Sequence, residues 1–505
     1  MVITNGQQNQ PDVIVIGAGV SGLTAAYELY KANKSVLVLE ARSRIGGRVW
    51  SKPLQSAANT AEQRWDLGAH WVGGTQYSLK QLLDELGVSL FPQHTDGDVV
   101  FMTQEQFGGK RMVFDPYVPR DPDDPFTMLD KWLLQMRWQS WCKAVGPVNP
   151  FKEHGAEQLN GMSVADWASK YAWTKGGSDM IKNRVSAPVD ADANEVSMLF
   201  MMMYINSSGC DLEMLSDMRG DGALTHRIQG GSQTLPEALR ETLPEASVLL
   251  SSPVVSIDHS SATMNVLAQD GQVYSAPKVI MAVPPVLAAE ITYTPSLSPD
   301  KMYLMRNLKS AGKNFYKFTF TYVRPYWREG GMSGNGLILD TADPATGQLD
   351  LPGVLLFDAS TPNDGWAVFG FVSYHQTPPS AQVRQQQYLK QLAKAFNRTE
   401  MHEYLDFAEL NWKDEMWSRG CEATARPGVL TREFAQLIRA PTGNIFWAGT
   451  ETATEWMGTM NGAVQAGQRV AAEVLYGVTS VQPVPIADIR QSWLAKVWSQ
   501  ITSIF

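Results

Sequence analysis

The apolar run Val13–Ile16 passes without a polar break into Gly17-Ala18-Gly19-Val20-Ser21-Gly22, and no other stretch restricts the fold so strongly. An uninterrupted β-branched run suits a parallel strand buried on both faces. Leu23, Ala26, Tyr27 and Tyr30 then recur at helical spacing. The glycines serve three different needs, with a tight turn at Gly17, backbone approach to a pyrophosphate at Gly19 and close helix–strand packing at Gly22. The helix N-terminus turns its unpaired N–H groups toward the phosphates. A second apolar run, Val36–Leu39, ends at Glu40, 18 residues past Gly22. There a carboxylate can bond ribose hydroxyls and would repel a 2′-phosphate. Strand, glycine turn, helix, strand and acid in that order predict an α/β unit that binds a dinucleotide.

The rest of the chain must do something else, because 505 residues exceed one ordinary core and predict two interleaved domains. An apolar content of 44% and a charged content of 18% suit a soluble enzyme. A net charge of −9 gives nucleic acid no reason to bind and favours approach of cationic small molecules. No metal site is expected. Three cysteines (Cys142, Cys210, Cys421) are too few for a disulfide framework, so a reducing, cytoplasmic setting is expected. The polar segment Met1–Gln10 lacks a signal-peptide pattern, and no run of 18 apolar residues occurs. The sequons at Asn206 and Asn397 then read as chance matches. Beyond Gln482-Pro483-Val484-Pro485, a stripe of Leu494, Val497, Trp498, Ile501 and Phe505 predicts an amphipathic tail helix over 481–505. Packing of that tail on its own domain and contact with a membrane surface both stay open.

Past the acid the chain reads Glu40-Ala41-Arg42-Ser43-Arg44-Ile45-Gly46-Gly47-Arg48. This segment resembles the glycine- and arginine-rich extension of the flavin-containing amine oxidase family, of the monoamine-oxidase type. Planar guanidinium groups suit a diphosphate. Asp66-Leu67-Gly68-Ala69-His70-Trp71, the strand beginning at Val254, and Trp447-Ala448-Gly449-Thr450-Glu451 resemble further family segments in the same order. The resemblance covers most of residues 12–475. It implies a Rossmann-like FAD-binding domain (1–90, 225–300 and 425–480) interleaved with an α+β substrate domain (91–224 and 301–424). It also implies that FAD is held by Gly17, Gly19, Gly22, Glu40, Arg42, Gly47, Arg48, Gly68, Ala69, His70, Trp71, Val254, Gly449, Thr450, Glu451 and Met460. Thr450 and Glu451 are expected to open a helix that continues through Met460 to Val464.

Lys317 stands eight residues before Pro325-Tyr326-Trp327-Arg328, and matches the family lysine that holds a water against flavin N5. Its alternation with Phe315 and Thr319 places it on one face of a strand. Trp412 matches the aromatic residue beside the flavin. Cys421, in Ser418-Arg419-Gly420-Cys421, matches the cysteine that some members join to FAD through an 8α-S-cysteinyl bond.

The chain departs from the animal monoamine oxidases where two tyrosines cage the amine: Glu422 and Thr459 occupy those positions. A carboxylate beside the amine stabilises the unreactive ammonium, so Glu422 is partly neutral or takes the ammonium proton, holds a second polar or cationic group of the substrate, or turns outward to solvent. Met198-Leu199-Phe200-Met201-Met202-Met203-Tyr204 is ordinary core filler by composition, or else a soft apolar cavity wall contributed by Met203 and Tyr204. The resemblance implies oxidative deamination of a primary amine, with dioxygen reduced to hydrogen peroxide. The expected substrate is a long aliphatic amine, hydroxylated in the manner of sphingoid bases or fumonisins. A diamine or polyamine oxidase, an amino-acid oxidase and a non-catalytic flavin-stabilised module are the alternatives. No macromolecular partner is implied, and a homodimer stays open.

Overall fold

In the computed structural model, Val13–Ile16 and Val36–Leu39 pair in parallel, as their unbroken apolar character predicts. They form the middle of a five-stranded parallel sheet completed by Val248–Leu249, Lys278–Met281 and Ile445–Trp447. Strands from three distant parts of the chain thus share one sheet. The structure describes residues 10–477 except 58–62, 103–110, 115–123, 153–154, 190, 212, 311–313, 339–340, 343–348, 352 and 375–376. The tail helix expected over 481–505 lies outside the described residues.

One face of the parallel sheet is covered by helices Val20–Lys31 and Met460–Tyr476, whose apolar sides pack with Val13, Val15, Val38 and Ile280. The other face packs through Ile14, Ile16, Val279 and Met281 on a four-stranded sheet that includes Val254–Asp258. Alternate residues of Val13–Ile16 therefore enter two different cores, which is why the run admits no polar residue.

A β-rich second unit is built on a seven-stranded sheet. Its order is Tyr404–Asn411, Asn314–Tyr322, Trp366–Tyr374, Val354–Asp358, Met332–Ile338, Asp98–Met102, Arg111–Phe114. Helix Ala381–Phe396 packs on it with Phe318, Phe320 and Val372. The helices of residues 125–206 form a separate apolar cluster that includes Trp138, Trp167 and Ile181. The whole is a mixed α/β fold in which a Rossmann-like sheet accompanies a β-rich substrate domain.

Three expectations are corrected. Cys142 and Cys210 form a disulfide between helix Pro125–Ala144 and the turn after helix Met198–Asn206. The cysteine count gave no reason to expect it, and its presence removes the ground for a reducing compartment. The methionine-rich run is a helix of the apolar core, with Met203 at 0% exposure, and Met203 is not in the wall of the cavity at the end of the parallel sheet. Residues 450–464 are not one helix. Thr450–Thr452 make a single 3₁₀ turn, and Trp456 and Gly458 take left-handed backbone angles before a new helix starts at Met460.

Candidate active site

Where the parallel sheet ends, the chain encloses a cavity of about 480 Å³ that continues to the seven-stranded sheet at strands Asn314–Tyr322 and Trp366–Tyr374. At one end lie Gly17, Gly19, Glu40, Arg42 and Val254; at the other lie Lys317, Trp412, Cys421, Glu422 and Thr459. Gly47, Arg48, Gly68, Ala69, His70, Trp71, Gly449, Thr450 and Met460 also line it. Four predicted residues are outside this wall. Gly22 lies beneath it, and a Cβ there would fall 2.0 Å from the Gly17 carbonyl oxygen, so its role is packing. Glu451 pairs with Arg48 from behind at 2.7 Å. Tyr204 lies behind the wall against Glu422 and Gly458, and Met203 is core.

The nucleotide end fits an FAD molecule on its own chemistry. Helix Val20–Lys31 begins after Gly19 with no side-chain cap, so its first N–H groups face the cavity as an anion site. Glu40 is fixed for ribose by accepting from the Ala18 and Arg42 amides at 2.7 and 2.8 Å. The arginines also make bonds within the chain. Arg42 donates to Ser418 Oγ at 2.8 Å and pairs with Glu415. Arg44 donates to the carbonyls of Gly47 and Val49 and lies over the Trp50 ring. Arg48 donates to the Cys421 carbonyl at 2.8 Å. Together they bind the glycine-rich loop to the segment carrying Cys421.

At the other end Lys317 is 2% exposed, on strand Asn314–Tyr322. Its Nζ donates to the Gly68 carbonyl at 2.9 Å and lies over the rings of Phe369 and Phe371. Burial lowers its pKa to about 7, and Asp66 opposes that shift. Asp66 itself is buried, but His70, Lys317 and Ser51 outweigh burial and hold it at about 2. His70 Nδ1 lies 3.0 Å from Asp66 Oδ2, and burial together with Lys317 keeps the ring neutral. Trp412 donates from Nε1 to the Leu67 carbonyl at 2.9 Å. Its ring lies so near Gly68 that a Cβ there would be 3.0 Å from Trp412 Cζ2 and 2.2 Å from the Arg48 carbonyl oxygen.

Glu422 faces the cavity and accepts from the Tyr204 hydroxyl at 3.0 Å. Thr459 caps helix Met460–Tyr476 and donates to the Trp456 carbonyl at 2.7 Å. Both positions that departed from the tyrosine cage are therefore in the wall. Phe315 and Phe371 also line it beside Lys317. Phe315 was legible as a neighbour of Lys317 on the same strand face. Phe371 was not, since it meets Lys317 only through antiparallel pairing of strands.

Residues 20–475 match the family model described as flavin containing amine oxidoreductase. The chain is 30% identical to the probable flavin-containing monoamine oxidase A of Dictyostelium discoideum, over 92% of this chain and 97% of that protein. It is also 30% identical to amine oxidase [flavin-containing] B of Mus musculus, over 94% and 88%. Among solved structures, cyclohexylamine oxidase from Brevibacterium oxydans superposes with a TM-score of 0.81 at 28% identity, covering 92% of this chain and 98% of that one. Putrescine oxidase bound to putrescine gives 0.80 at 28%, covering 92% and 99%. With a matching family model over nearly its whole length and a cavity suited to FAD, this chain belongs to the flavin-containing amine oxidoreductases and is an FAD-dependent enzyme that oxidises amines to a carbonyl compound and ammonia while reducing dioxygen to hydrogen peroxide.

Proposed function

We propose that the substrate is a primary amine on a long aliphatic chain bearing a second polar group, such as a hydroxyl, and that FAD is attached through Cys421. When bound, FAD would supply the hydride-accepting and dioxygen-reducing chemistry. The residues of the chain do the rest. Lys317, buried and close to neutrality, holds or moves a proton at Nζ beside the reacting end of the cavity. Trp412, Phe315 and Phe371 exclude water and offer apolar contact. Glu422 and Thr459 receive the polar group of the substrate.

The observation that carries this reading is Glu422 in the cavity wall where the animal enzymes have an aromatic cage. A carboxylate there accepts a charge-assisted hydrogen bond from a substrate hydroxyl or ammonium, whereas aromatic ring faces offer an ammonium only cation–π attraction. Support for the covalent link comes from the Cys421 thiol in the same wall, its carbonyl anchored by Arg48. A putrescine oxidase of similar fold had its cofactor binding redesigned with an alanine-to-cysteine substitution. Diamine oxidation is the second reading, favoured by the similarity to putrescine oxidase. An amino-acid oxidase would need an arginine for the substrate carboxylate. The two arginines of the described wall, Arg42 and Arg48, already pair with Glu415 and Glu451.

Two experiments test the proposal. Acid precipitation of the purified protein is expected to leave the yellow colour in the pellet, and Cys421→Ala to release it to the supernatant; colour in the supernatant of the unaltered protein would refute the link. Peroxide release is expected to be faster from long hydroxylated amines than from butylamine or putrescine. Putrescine as the best substrate would favour the second reading.

A further inference from the structure

We propose that Tyr204 is a positioning residue for substrate selection, holding Glu422 in the orientation that receives the substrate's second polar group. The inference rests on the reading of Glu422 given above. A glutamate side chain is long and rotamer-rich, so a carboxylate at a cavity wall selects poorly unless something fixes it. Tyr204 does so at 3.0 Å from Oε2. Its ring is 4% exposed and stacks on Phe200 within the helical core. Burial and the charge of Glu422 push the phenol well above its ordinary pKa, so it stays a donor at any working pH. A carboxylate bonded in this way is held in one orientation.

The surrounding chain makes the arrangement rigid. Tyr204 lies in the last turn of helix Met198–Asn206, and Ser207 follows as the end of that helix. Ser207 accepts from Trp456 N at its carbonyl, at 2.8 Å, and from Met457 N at its hydroxyl, at 3.0 Å. The turn that delivers the Tyr204 hydroxyl therefore also fastens the loop leading to Thr459. Gly458 closes the gap at φ +82°, where a Cβ would come within 2.9 Å of both Glu422 Oε2 and the Tyr204 hydroxyl. Arg48 is a charged neighbour of Glu422 and in turn pairs with Glu451. One helix end thus sets both residues that replace the aromatic cage.

The experiment compares 1-amino-2-dodecanol with dodecylamine, which lacks the second polar group, using peroxide release by the FAD-loaded enzyme. Tyr204→Phe removes the hydroxyl and keeps the ring. It is expected to raise KM for the amino alcohol about tenfold, the scale of one hydrogen bond to a charged group. The kcat values and the KM for dodecylamine should change less than about twofold. Glu422→Gln should abolish the preference for the amino alcohol, and adding Tyr204→Phe to it should have no further effect. Equal losses on both substrates, or the same loss from Tyr204→Phe with and without Glu422→Gln, would make Tyr204 a packing residue and overturn the proposal. A silent Tyr204→Phe beside an altered Glu422→Gln would overturn it while leaving the role of Glu422 intact. A silent Glu422→Gln would overturn both. If Tyr204→Phe does not fold or load FAD, Glu422→Asp draws the carboxylate back from the hydroxyl while keeping its charge. That variant should show the same KM increase for the amino alcohol alone, and parental behaviour would overturn the proposal.

Discussion

Lys317 shows how much a single buried side chain can carry. Its strand is flanked by Tyr404–Asn411 and Trp366–Tyr374, so the sheet shields it on both sides, and Nζ donates to one carbonyl oxygen, that of Gly68. Its folded pKa of about 7 lies below the ordinary value of 10.5. Between those values the unfolded chain binds more protons than the folded one, so stability rises with pH across that window. Lys301, buried over the Trp447 ring and also lowered to about 7, acts in the same sense. Lys317→Met is expected to flatten part of the rise in Tm between pH 7 and 10 while leaving the contribution of Lys301. The same variant should lower kcat by about a hundredfold or more if Nζ serves the reaction. Undiminished turnover would remove Lys317 from the chemistry. Gly22 is a quieter case. A methyl group would meet the Gly17 carbonyl oxygen, so Gly22→Ala should displace the helix start and reduce the FAD content of the purified protein. Unchanged FAD loading would contradict the packing role.

Among elements, helix Met198–Asn206 links more of the molecule than its nine residues suggest. One end is capped by Ser197. Beyond the other end, the Cys142–Cys210 disulfide ties the chain to helix Pro125–Ala144, and the Asn206 amide donates to the Cys142 carbonyl at 2.9 Å. By the loop-entropy relation, a sequence separation of 68 makes this closure worth about 4 kcal/mol. Cys142→Ser with Cys210→Ser is therefore expected to lower the urea midpoint. Alkylation of the denatured, unreduced protein should leave both cysteines unlabelled. Labelling of either would show that the bridge does not form.

At the scale of the whole molecule, the cavity is a joint between sheets. Arg42 and Arg48 reach across 373 to 376 residues of sequence to Glu415, Ser418 and the Cys421 carbonyl. FAD lying along that joint stabilises the folded state by mass action when it is not covalently held. On the proposed link, Cys421→Ala should therefore show a Tm that climbs with added FAD, whereas the parent protein should not respond. A parent Tm that depends on FAD concentration would argue for a dissociable cofactor.

The amino-acid sequence by itself determined the nucleotide turn, because each requirement there is local: apolar residues for a strand buried on both faces, glycine where the backbone must approach, and an acid at the end of the next strand. It also located Lys317, Trp412, Cys421, Glu422 and Thr459, which the fold brings into one wall. Spacing could not show what each side chain meets. The Tyr204 hydroxyl and Glu422 are 218 residues apart, and Phe371 joins Lys317 only through strand register. Met203 and Cys142 look the same in sequence whether they line a cavity or fill a core. Partners so distant leave no periodicity to read. Only the tertiary structure decided that the arginines clamp two segments together, that the methionines are core, and that a tyrosine holds the carboxylate facing the cavity.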